Sequence, residues 1–125
     1  MRYLLLLYGE PVQPETLTPE AWRSIAAAHA DFTRELTEAG ALVDSAPLAP
    51  PEAARTVRIK RRERLVTDGP FAETKEVLGG YYLIDAASLD DAVAWASRLR
   101  HEGEGSIEVR PLLDLGVDSG ASRSS

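Results

Sequence analysis

Residues 2–8 read RYLLLLY, and every position from Tyr3 to Tyr8 is apolar or aromatic before the run ends at Gly9-Glu10-Pro11. So short and unbroken a run predicts a strand buried on both faces rather than an alternating, half-exposed one. Thr18-Pro19-Glu20 then has the chemistry of a helix start: a hydroxyl N-cap, proline at the first helical position and an acid at the positive end of the dipole. Trp22, Ile25, His29, Phe32, Leu36 and Ala39 recur at spacings of 3, 4, 3, 4 and 3, a continuous stripe that Gly40 ends as a C-terminal cap. Ala41–Ser45 predicts a second strand. The loop Pro47-Leu48-Ala49-Pro50-Pro51 closes it, because its prolines cannot donate to a central sheet.

Thr56–Ile59 and Arg64–Thr67 predict the two arms of a hairpin around the charged turn Lys60-Arg61-Arg62-Glu63, and Asp68-Gly69-Pro70 breaks the pattern with turn chemistry. Gly79-Gly80 precede Tyr81–Asp85, an aromatic and β-branched strand. Ser88 with Asp91 three residues on opens a second helix. Leu89, Ala92, Val93, Ala96 and Leu99 make its apolar face, Trp95 flanks it, and Gly103 ends it. Ser106–Arg110 is a last strand, stopped by Pro111. The order predicts an α+β domain over residues 1–112, a ferredoxin-like βαββαβ sandwich with a hairpin insert and both helices on one sheet face. The remainder, 113–125, has too little apolar content to dock and is expected to form a flexible C-terminal tail.

Two helices can cover only one face of such a sheet. Leu5 and Leu7 lie on one side of the first strand and Leu4, Leu6 and Tyr8 on the other, and the Tyr81 strand divides in the same way. An uncovered apolar face of that size predicts a homodimer packed sheet to sheet.

Composition excludes several classes. The chain has 125 residues, 44% hydrophobic and 27% charged, which suits one soluble domain. It has no cysteine, so disulfides, thiolate catalysis and cysteine-held metals are ruled out. The net charge of −6 disfavours a nucleic-acid-coating surface and anionic membranes. The Tyr3–Tyr8 run is shorter than a signal-peptide core and no run approaches a membrane span, so a cytoplasmic protein is expected. Residues 52–64 hold six cations against two acids, a local +4, which leaves −10 on the rest. No aromatic residue interleaves these cations, so a solvated hairpin tip is expected rather than a nucleic-acid arm. His29 and His101, 72 positions apart, offer no metal-ligand spacing, and no phosphate or dinucleotide loop is present, so no cofactor is expected.

Chemistry concentrates in two places. His29 lies on the inward stripe of the first helix; an ordinary imidazole titrates near 6.5, so its surroundings decide its charge at neutral pH. It can be a satisfied core histidine or a general acid/base. The second place is the run from Val66 to Glu76. There Asp68 can orient or charge the imidazole, and Glu73 and Lys75 can hold a polar substrate. Equally, Asp68-Gly69-Pro70 can be a capped turn and Glu73–Glu76 a solvated bend.

The string DGPFAETKE, followed by GGYYLID, with an opening strand ending in YGE and a helical AAHADF, resembles the YCII-related, DGPF-domain family over about residues 1–112. The resemblance implies a dimeric α/β barrel and a catalytic histidine at the position of His29, usually discussed with an aspartate. Near the helix end, where relatives can carry an aspartate, this chain has Glu38. One relative in the wider superfamily is a dehydrochlorinase of a chlorinated hydroxyquinol, and some members occur beside extracytoplasmic-function sigma factors. The expectation is therefore a cofactor-independent enzyme in which His29, oriented by Asp68, serves as acid/base for an elimination or isomerisation, with Tyr8, Glu73 and Lys75 as substrate contacts. Its rival is a non-catalytic metabolite-binding or sigma-factor-associated module.

Overall fold

Alternation divides the apolar opening run between two environments. In the computed structural model, which describes residues 1–11, 14–70, 75–99 and 105–114, Arg2–Gly9 form strand β1. Tyr3, Leu5 and Leu7 are buried, whereas Leu4, Leu6 and Tyr8 point the other way and are half-buried. Within a single chain, burial of β1 is thus complete on one face, not on both as the unbroken run suggests.

Helix α1 spans Pro19–Glu38. The Thr18 hydroxyl accepts from the Ala21 N–H at 3.1 Å, satisfying one of the orphan donors of the first turn. At the other end Gly40 takes a φ of 69°, and its N–H and that of Ala41 donate to the carbonyls of Thr37 and Leu36. This is the glycine-terminated motif that closes the last turn and lets the chain reverse into the sheet. Phe32 and Leu36 face inward and are fully buried; Trp22, at the stripe's N-terminal end, is 54% exposed.

Strand β2 (Leu42–Pro47) follows, then the hairpin strands β3 (Arg55–Lys60) and β4 (Glu63–Asp68), β5 (Val77–Asp85), helix α2 (Leu89–Ala96) and β6 (Gly105–Pro111). The main sheet is antiparallel, in the order β2-β5-β1-β6, with the two central strands the two most apolar ones. This order, with two helices on one side, is compatible with a ferredoxin-like fold. Among the described residues, strands β3 and β4 pair only with each other, as a separate ribbon.

The core gathers Tyr3, Leu5, Leu7, Tyr82 and Ile84 from the sheet against Phe32 and Leu36 of α1, Ala92 and Ala96 of α2, and Leu99 beyond it. Each large side chain removed from water here contributes about 1.5–3 kcal/mol before entropy is counted.

Some elements depart from the pattern. Strand β5 begins at Val77 and so includes Gly79-Gly80, because a Cβ at Gly80 would stand 3.1 Å from the Ala46 carbonyl oxygen: the glycine lets β2 close on β5. Helix α2 ends at Ala96, and Gly103 lies outside the described residues. Of its expected apolar face, Ala92, Ala96 and Leu99 are buried, but Leu89 and Val93 are each 46% exposed. Among the described residues no helix is long and apolar enough to cross a membrane.

Candidate functional site

His29 sits on α1 one turn before Thr33, facing the sheet near the β5–β2 pairing. Alternation along β5 turns Tyr82 towards the helices, and its ring lies edge-on to Phe32 at a centroid distance of 4.9 Å. A phenol buried this deeply needs a hydrogen-bond partner. It finds one in the imidazole: His29 Nδ1 and Tyr82 Oη are 2.8 Å apart, with the two rings nearly parallel. The imidazole itself is half-buried, so one edge is anchored in the core while the ring remains within reach of solvent.

Burial pushes the Tyr82 phenol above its ordinary value of 10.0, and a hydrogen bond with the Thr33 hydroxyl pulls it partly back. The contact has two polarities: Tyr82 donates to His29 Nδ1 when the ring proton is on Nε2, or Nδ1–H donates to the phenol oxygen in the other tautomer. Tyr82 on β5 and His29 on α1 thus form a polar pair at the edge of the core.

Of the other expected residues, those described stand on different elements. Asp68 closes β4 on the ribbon, its side chain 91% exposed and ion-paired with Arg55 at 3.7 Å. Tyr8 shares the face of β1 that carries Leu4 and Leu6, so the sheet stands between it and His29. Lys75 is exposed at a bend before β5, and Glu73 lies outside the described residues. Glu38 is exposed near Arg34, 4.0 Å away.

Tyr82 is the site residue that the sequence reading missed. The signal was present: strand parity places Tyr82 on the helix side with Ile84, and His29 is the one titratable group on the α1 stripe. A buried phenol and an inward imidazole on facing elements are each other's natural partner.

Two surface hollows are found elsewhere. One of about 380 Å³ lies between the C-terminal end of α1 and α2, beside Gly40, Asp85, Trp95 and Arg98; the other, about 360 Å³, is lined by Leu17, Thr18, Pro19 and Trp22. His29 lines neither. Among the described residues no group of three or more histidine, aspartate or glutamate side chains could hold a metal ion.

Comparison with known proteins agrees with the motif-based resemblance. An uncharacterised protein of Rhizobium meliloti (strain 1021), R00369, is 42% identical over 114 residues, covering 90% of this chain and 92% of the relative. The model of the YCII-related domain matches residues 1–115, so all six strands and both helices described above fall within it, and the chain belongs to the YCII-related domain family.

Proposed function

We propose that the protein is a cofactor-independent acid/base enzyme for small organic molecules, with His29 as its catalytic group and Tyr82 as the residue that positions it. The observation that carries this reading is the 2.8 Å bond between the half-buried imidazole and the buried phenol. Burial favours the neutral phenol, so Tyr82 keeps its proton and acts as a fixed donor rather than a proton source. That bond holds the ring in one orientation, and with Tyr82 as the donor to Nδ1 the neutral ring carries its proton on Nε2. Neutral, the ring donates to a substrate oxygen; protonated, it gives a proton to a departing or developing anion, as an elimination or isomerisation requires. Tyr82 takes the orienting role that the motif pattern suggests for Asp68. Lys75 and Glu73 keep the role of contacts for the polar end of the substrate that the motif suggests.

The reading includes a homodimer. Leu4, Leu6, Leu78, Tyr81 and Leu83 share the sheet face that the helices leave open, and a second copy packed against it would complete a two-sheet α/β barrel.

The test is a panel of small hydroxylated, halogenated and keto acids, scored first for thermal stabilisation and then for turnover. His29→Ala is expected to abolish turnover of accepted compounds. Tyr82→Phe is expected to lower kcat by about tenfold, roughly 1.4 kcal/mol, while KM changes little. A His29→Ala variant that processes every accepted compound at the wild-type rate would overturn the assignment.

A further inference from the structure

The β3–β4 ribbon is explained by neither the core nor the His29–Tyr82 pair. Its register puts Arg55 with Asp68, Val57 with Val66 and Ile59 with Arg64 on one face, and Thr56 with Thr67, Arg58 with Leu65 and Lys60 with Glu63 on the other. Val57, Val66 and Ile59 therefore form one aliphatic strip, and they are 53%, 58% and 66% exposed. A two-stranded ribbon on its own is marginal in water. An outward aliphatic strip along it is a surface awaiting cover.

The tip carries a second anomaly. Arg61 and Arg62 occupy a two-residue turn with φ values of 50° and 71°. Such turns favour Asn-Gly, and a left-handed residue with a side chain costs about 1 kcal/mol. Backbone preference alone would not choose two arginines here. They are held against it, as strained residues at interaction sites commonly are.

Charge identifies the cover. The basic segment 52–64 carries +4 and the remainder of the chain −10, so the body of this same protein is the complementary surface. Glu15, Glu20, Asp90 and Asp91 are all exposed on it, beside apolar side chains that are also exposed, Trp22 on α1 and Leu89 and Val93 on α2. Nucleic acid fits less well, since no aromatic side chain lies between residues 55 and 68 to stack a base.

We propose that the β3–β4 ribbon is a self-association arm, which lays its Val57–Ile59–Val66 strip on the acidic body of a second copy while Arg61 and Arg62 pair with carboxylates there. In a two-fold dimer both arms engage at once, each closing on the other protomer. This contact is distinct from the packing of the open sheet faces and from the chemistry of His29.

Sedimentation equilibrium of the full chain at low and high salt tests it. The wild type is expected to associate more weakly as salt rises. Val57→Ser/Ile59→Ser/Val66→Ser and Arg61→Asn/Arg62→Gly are each expected to raise the dissociation constant by about tenfold or more, roughly 1.4 kcal/mol. The second variant suits the turn better than the wild type does, so its loss of association cannot come from a melted arm. Both arm variants associating like the wild type would overturn the proposal, as would a monomeric wild type. So would a selective loss of binding to heparin or DNA with association unchanged, which would reassign the arm to polyanions. Leu6→Asp dissociating the dimer while both arm variants leave it intact would assign self-association to the sheet face alone, with the His29 reading unaffected.

Discussion

Tyr82 links stability to catalysis in a single side chain. Its phenol is buried and bonded to His29, so Tyr82→Phe is expected to lose about 1 kcal/mol of stability. The same change has a pH signature. Because the folded phenol titrates above 10.0, the folded chain keeps a proton that the unfolded chain begins to release near that pH. Stability is therefore whole below about pH 10 and falls as pH rises towards the raised value. Tyr81, raised chiefly by its hydrogen bond to Asp44, adds a slope of the same sign, so the measured quantity is the difference between wild type and Tyr82→Phe. Urea midpoints from pH 8 to 11 should converge as alkalinity increases. At Gly80 the constraint is steric: a Cβ would press on the Ala46 carbonyl oxygen at 3.1 Å, and Gly80→Ala is expected to cost about 1–3 kcal/mol in thermal or urea unfolding.

Among the elements, α1 shows the closest agreement between pattern and structure, because both of its ends are specified by side-chain chemistry. Thr18→Ala is expected to cost about 1 kcal/mol through the lost bond to the Ala21 N–H. Gly40→Ala should cost a similar amount through its φ of 69°, and both can be read from unfolding midpoints. The opening strand and the first half of the second helix were legible for the same reason, the spacing of apolar residues along them. Helix α2 was overextended because the apolar period runs on to the buried Leu99 although the helix closes at Ala96 with Ser97 as its cap, while Leu89 and Val93 fit the same period yet face outward. The glycines of β5 read as a break because their function is the close approach of β2, a tertiary fact. The His29 stripe was legible, whereas its bond to Tyr82, across the core on β5, was not. A hydrogen bond between residues 53 positions apart leaves no local trace.

At the scale of the whole molecule, the sheet has one face sealed by helices and one carrying Leu4, Leu6 and Leu83. Leu6→Asp should therefore leave the folded monomer intact, since Leu6 lies outside the core cluster, while abolishing the proposed sheet-face association in a light-scattering measurement. The ribbon has a consequence of another kind. It has no backbone pairing with the main sheet, and the side chains along both of its strands are largely exposed. In a protomer whose ribbon no second copy covers, its cross-strand amides can thus trade their protons for deuterium through openings that leave the core untouched. Those of Leu5, Tyr82 and Ile84, on the two central strands, should exchange only when the whole domain comes apart. Two exchange regimes in a chain of this size would mean that a region of low local stability hangs from an otherwise cooperative unit, able to rearrange without disturbing His29.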